Sequence, residues 1–168
     1  MIKNNATKSD PRTDLLRSAI EHRATWFALM IEEAEKQGLG TDFAHKAIMQ
    51  CGKFHGLNKY PVTDDLPTFS AAFANEDVIN CFEMELVEND EKNLSIDFHY
   101  CPLVAAWQKL GLPEDKLPEL CDIAMDGDRG IIMFDQSSCS FREGFVICIL
   151  SFKRSMKAVV DIRCYLSF

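Results

Sequence analysis

The spacing of apolar residues changes period along the chain, and each change marks a different kind of element. Between Asp10-Pro11 and Gly38, the residues Leu15, Leu16, Ala19, Ile20, Trp26, Phe27, Met30, Ile31 and Ala34 recur at intervals of three and four, which predicts a helix with one apolar face. Thr41 or Asp42 opens a second helix with Phe43, Ala44, Ala47, Ile48, Cys51 and Phe54 inward, and His55 shares that face next to Gly56. Pro61 and Pro67 bracket a loop and the start of a short third helix over 68–76. The period then drops to two. Phe82, Met84 and Leu86 alternate with Glu83 and Glu85, predicting an antiparallel strand with one wet face, and Asn89-Asp90-Glu91 turns the chain into a second strand over 94–100.

A helix follows directly, because Pro102 fits the first helical position and makes Cys101 the cap residue. Gly111-Leu112-Pro113 ends it. The next helix carries Leu117, Leu120, Cys121, Ala124, Ile131 and Ile132 on one stripe, and Asp128 and Asp135 fall on the same stripe. Residues 145–152 are apolar on both faces and read as a central strand; Val160, Ile162, Cys164, Leu166 and Phe168 alternate with polar residues as the last one. The expected fold is α+β, with helices packed on one face of a four-stranded antiparallel sheet. Residues 1–9 are expected to be a disordered tail and 10–168 a single domain.

Composition narrows the function. A chain of 168 residues, 47% apolar and 26% charged, buries a sizeable core without staples. Its net charge of -8 repels phosphate backbones and anionic lipid, so neither nucleic acid nor a membrane is an expected partner. The polar start has no apolar signal core, and no later run has the length of a membrane span. Seven cysteines, an odd number without C-x-x-C spacing, read as free thiols of a reducing compartment. A cytoplasmic location is expected.

The candidate chemistry centres on Cys101. The unpaired N–H groups of a helix start stabilise a thiolate, unless the site is dry and apolar. The residue is a nucleophile, a metal ligand or a small buried hydrophobe. His55 is a base reaching Cys101 from across the fold, or a core histidine bonded to a carbonyl. Arg23 interrupts the apolar seam of the first helix, with His22 at its edge, and a buried guanidinium needs an anion. Asp128 is its natural internal partner, or a ligand supplies the anion. Gly127 and Gly130, flanking Asp128, point to close packing or ligand access. Trp107 is core or pocket lining. A metal site from Cys51, His55, Cys101 and Cys121 lacks a recognised ligand spacing, so no cofactor is assigned, with zinc or iron left open. A homodimer through a sheet edge or an exposed helix is likewise left open.

Four blocks carry a resemblance. They are Glu21-His22-Arg23-Ala24 with Trp26 and Glu32-Glu33-Ala34; Cys51-Gly52 with Phe54-His55-Gly56; Tyr100-Cys101-Pro102-Leu103-Val104 with Trp107 and Leu110-Gly111-Leu112; and the run from Leu120 to Gly130. Together they resemble the L-2-amino-thiazoline-4-carboxylic acid hydrolase family. The resemblance implies a cytoplasmic bacterial hydrolase acting on the C–N system of a small cyclic amidine, opening the thiazoline ring with water to give N-carbamoyl-cysteine. In that reading Cys101, His55 and Asp128 are catalytic, and Arg23, His22, Trp107 and Cys121 bind the substrate. Lys157-Ala158-Val159-Val160 stands where the family has a Gly-Asp turn, while Cys164 remains. The element order also resembles, in topology alone, the four-vinyl-reductase-like ligand-binding domains, which implies a non-catalytic dimeric module that binds a small molecule or a metal.

Overall fold

The computed structural model describes residues 2–63, 65–132, 138–142, 145–151 and 157–164. Its helices are α1 (Pro11–Lys36), α2 (Asp42–Lys59), α3 (Leu66–Phe73), α4 (Glu76–Phe82), α5 (Pro102–Lys109) and α6 (Leu117–Ile132); its strands are β1 (Met84–Asn89), β2 (Asn93–Phe98), β3 (Ser138–Arg142), β4 (Phe145–Ser151) and β5 (Lys157–Cys164). Helix dominates. The caps follow the sequence signals: the Asp10 carboxylate accepts from the backbone N–H groups of Arg12 and Thr13 ahead of α1, and Cys101 caps α5 ahead of Pro102. The expected third helix over 68–76 is α3, which ends at Phe73; Phe82, expected as a strand residue, instead ends an additional helix, α4, capped by Asn75.

The four-stranded antiparallel sheet is not what forms. The sheet has five strands in the order β1-β2-β5-β4-β3, and β5 runs parallel to β2 while pairing antiparallel with β4. The last strand is thus the hairpin partner of β4 on one edge and fills the open edge of β2 on the other, a parallel pairing that the crossover through α5 and α6 permits. Lys157-Ala158-Val159-Val160 belongs to this strand. Asp135 lies outside the described residues. The wet face expected of the first strand is present on β1, where Glu85 is exposed between Met84 and Leu86, but it does not extend to β2. Leu94, Ile96 and Phe98 join Phe69, Phe73, Val160 and Ile162 in one core cluster, yet Ser95 and Asp97 on the opposite face of β2 are also buried.

The buried face of α1 is not the predicted one. Thr13, Arg17, Ala24, Ala28 and Ile31 point inward, whereas Leu15, Trp26 and Met30 are 61–71% exposed. Small residues decide this: Ala24 and Ala28 let α5 approach closely enough for the fully buried Trp107 to donate from Nε1 to the Ala24 carbonyl at 3.0 Å. Helices α2 and α6 use glycine to the same end. A Cβ on Gly52 would overlap the Gly127 carbonyl, and one on Gly130 would sit 2.9 Å from the Gly52 Cα. Gly130 is therefore a packing glycine, whereas a Cβ on Gly127 would meet only the Ile48 side chain, at an ordinary 3.6 Å.

The expected disordered tail is an anchored strap. Ile2 is buried in the cluster of Trp107, the Asn4 side chain bonds both the N–H and the carbonyl of Cys101, and the N–H groups of Thr7 and Lys8 donate to the Glu83 carboxylate. Glu83 takes a left-handed backbone (φ 49°) at the end of α4, and its acid group faces the strap.

Candidate active site

One apolar cluster gathers Ala24, Ala28 and Ile31 of α1, Ala44 of α2, Cys101 with Val104 and Trp107 of α5, and Leu117, Leu120 and Ile123 of α6. Phe27, Ile48, Cys121 and Ala124 pack against it only half-buried, so α6 presents a partly open stripe between α1 and α2. That stripe runs Cys121, Ala124, Asp128, at helical spacings of three and four.

Asp128 is its chemically active end. Burial pushes the carboxyl up to about 6, against the opposing pull of the Arg23 and Arg129 guanidinium charges. The charge of Asp128 in turn adds to burial in raising the Tyr60 phenol. Arg23 itself is exposed, contrary to its expected place in the core seam, because the face that α5 covers is set by Ala24 and Ala28 rather than by the larger apolar residues. It forms no hydrogen bond or ion pair among the described residues, and its charge reaches Asp128 only at longer range. His22 beside it is exposed too.

His55 lies at the level of Asp128. The packing of Gly52 on Gly127 and Gly130, and of Gly56 on Ile131, sets residues 52–56 of α2 alongside 127–131 of α6. Its Nδ1 is buried without a hydrogen-bond partner among the described residues, so the carbonyl bond of a satisfied core histidine is not made there.

Cys101 and Cys121 mark the other end of the stripe. Burial pushes the Cys121 thiol well up, and Cys101 adds to the shift. Cys121 stands seven residues before Asp128, about 10 Å along the helix, so Cys101 faces the far end of the stripe from Asp128. Cys101 is 8% exposed inside the apolar cluster. Trp107 is wholly core. The proposed metal set does not assemble, since Cys51 is exposed while Cys101 is buried, and no three His, Cys, Asp or Glu side chains converge on a metal position among the described residues.

The sequence model of the L-2-amino-thiazoline-4-carboxylic acid hydrolase family matches residues 17–137. The chain belongs to that family. The match spans Arg23, His55, Cys101, Cys121 and Asp128, and the family takes its name from hydrolysis of a thiazoline carboxylate. No curated protein and no solved structure matches the chain at a significant level. No helix among the described residues of this family member is long and apolar enough to cross a membrane.

Two charged groupings went unread in the sequence. Arg17, 5% exposed, is the arginine that α1 does bury, and it pairs with Glu83 at 3.0 Å. Across the α2–α6 seam, His45 Nδ1 lies 2.6 Å from Asp126, which accepts from Arg129 at 2.6 Å, and Arg129 also bonds Asp122. The available signals were the run of small residues Thr13, Ala24 and Ala28 in register with Arg17, and the Asp126-x-x-Arg129 spacing on one helix face.

Proposed function

We propose that this protein hydrolyses a small cyclic amidine carboxylate of the thiazoline type, with Asp128 as the proton-transferring group and Arg23 as the anchor for the substrate carboxylate. The carrying observation is Asp128, a half-buried residue whose carboxyl is pushed up to about 6 by desolvation, within longer-range reach of the charge of Arg23, which has no ionic partner among the described residues, in a chain of this family. A group titrating there is ionised enough at neutral pH to accept a proton from water and weak enough as a base to return it.

Atom balance defines the reaction. Water oxygen bonds to the amidine carbon, which sits between the ring sulfur and two nitrogens. To reach N-carbamoyl-cysteine that carbon keeps both nitrogens, so the bond that breaks is carbon–sulfur, and sulfur leaves as a thiol after taking up a proton. Addition is to the C–N system, but cleavage is not of a C–N bond. Asp128 accepts the proton of the attacking water; His55, at its level on α2, carries the proton toward the leaving sulfur. Arg23, with no protein anion bonded to it, holds the substrate carboxylate from the exposed side, with His22 beside it. The burial of Cys101 in apolar surroundings favours this direct water route over a covalent Cys101 intermediate.

The test is incubation of the purified protein with L-2-amino-thiazoline-4-carboxylate, reading appearance of a titratable thiol and a mass gain of one water. Turnover by the wild type and its loss in Asp128→Asn supports the reading. An intact compound recovered from wild-type protein overturns it and leaves a binding module; full turnover by Asp128→Asn overturns the role of Asp128.

A further inference from the structure

We propose a second ligand site, separate from the Asp128 stripe: a cleft of about 470 Å3 between the strap at residues 6–9, the first half of α1 and Tyr100, shaped to hold a small zwitterion such as a free α-amino acid. Three observations carry it.

The walls are fixed before any ligand arrives. Glu83 holds the strap through the Thr7 and Lys8 N–H groups at 2.7 and 2.9 Å and the Thr7 hydroxyl at 2.6 Å. Arg17 donates to the Lys8 carbonyl at 2.6 Å, bonds Glu83 at 3.0 Å, and places its guanidinium carbon 4.5 Å from the centre of the Tyr100 ring. One buried ion pair therefore locks the strap and also presses on the tyrosine, and a preformed cleft loses little freedom when a ligand enters.

Tyr100 lines the cleft, is only 7% exposed, and its hydroxyl makes no hydrogen bond among the described residues. Burial, with the charge of Glu21, raises the phenol, which keeps the hydroxyl protonated and a donor. A donor in a polar cleft without a protein acceptor suits a ligand oxygen.

The lining charges sort into spent and unspent. Arg17 is neutralised by Glu83, and Lys109 by Glu21 at 2.6 Å. Among the described residues, Lys8 has no ionic partner and the Asp14 carboxylate accepts only the Ser9 hydroxyl. One free cation and one free carboxylate complement a molecule that carries both signs, with the ligand carboxylate on Lys8 and the Tyr100 hydroxyl and its ammonium on Asp14.

The experiment titrates the full chain, followed by amide NMR shifts, with L-serine, N-acetyl-L-serine and L-serine methyl ester as probes. L-serine is expected to bind saturably with shifts at residues 6–9 and 100, and each derivative, lacking one charge, at least about tenfold more weakly. Tyr100→Phe weakens L-serine about tenfold or more. Lys8→Met, an exposed change that leaves the fold intact, abolishes the preference for L-serine over its methyl ester. No saturable binding of L-serine, equal binding of all three probes, or an unchanged affinity in both variants overturns the proposal. Because the readout is binding, its failure is independent of any failure of thiazoline hydrolysis.

Discussion

The Arg17 guanidinium lies 3.0 Å from the Glu83 carboxylate, and both side chains are only 6% exposed. Arg17 also donates to the carbonyls of Cys81, Lys8 and Asn80, so α1, the end of α4 and the strap meet on one cation. Removing one partner strands a buried charge. Glu83→Gln and Arg17→Met should each cost about 3–5 kcal/mol in urea unfolding, and the double variant should lose less than the sum, since it leaves no charge unpaired.

Acid should weaken the same junction. Burial works to raise the Glu83 carboxyl, but hydrogen bonds from Thr7, Lys8 and Arg17 outweigh it and hold the group below its ordinary value. A depressed acid stabilises the fold above the unfolded value, and that stability is lost as pH falls through the folded one. Melting temperature measured downward from neutral pH should fall through the acid range in the wild type and fall less in Glu83→Gln.

Asp128 has the opposite sign. Its carboxyl titrates at about 6 in the fold against 3.8 without it, so the protonated form is favoured and stability declines as pH rises between those values. At neutral pH the ionised group costs on the order of 3 kcal/mol. Asp128→Asn should therefore melt higher at pH 7 while losing thiazoline turnover, and that gain should vanish below pH 4; a variant that melts lower at pH 7 would contradict the assigned burial.

Arg23 should act on substrate and on Asp128 together. Arg23→Met removes a charge that pulls the Asp128 carboxyl down, so the acidic limb of the kcat/KM profile should move to higher pH, while KM for the carboxylate substrate rises. Because Arg23 is exposed and bonded to no described group, melting temperature should stay nearly constant.

The α2–α6 seam has no room for a methyl group. Gly52→Ala would drive a Cβ into the Gly127 carbonyl, and Gly130→Ala would meet the Met49 carbonyl and the Gly52 Cα, backbone on both counts. Either change should cost about 1–3 kcal/mol or more, whereas Gly40→Ala, which meets nothing within 4 Å, should be nearly neutral in the same denaturation assay.

Much of this molecule was legible from local chemistry. Asp10 and Pro11 start a helix, Cys101 and Pro102 start another, and the period of two read from Phe82 announces a strand that begins two residues later at Met84, because capping and periodicity depend on neighbours a few residues away. The internal pairing expected between Arg23 and Asp128 does not form: Arg23 is exposed, makes no ion pair among the described residues, and acts on Asp128 only through its charge at longer range.

Tertiary structure decided what patterns of size and period do not encode. The large apolar residues of α1 implied one buried face, but close approach to α5 selected Ala24 and Ala28, and that choice buried Arg17, exposed Trp26 and turned Arg23 outward. Strand partners were equally beyond reach, since alternation fixes which side chains share a face and says nothing of whether β5 pairs with β4 alone or also lies parallel against β2. The strap was hidden for a related reason: a polar segment looks disordered until the carboxylate of Glu83 and the side chain of Asn4 supply, from opposite ends of the fold, the partners its backbone and that of Cys101 require.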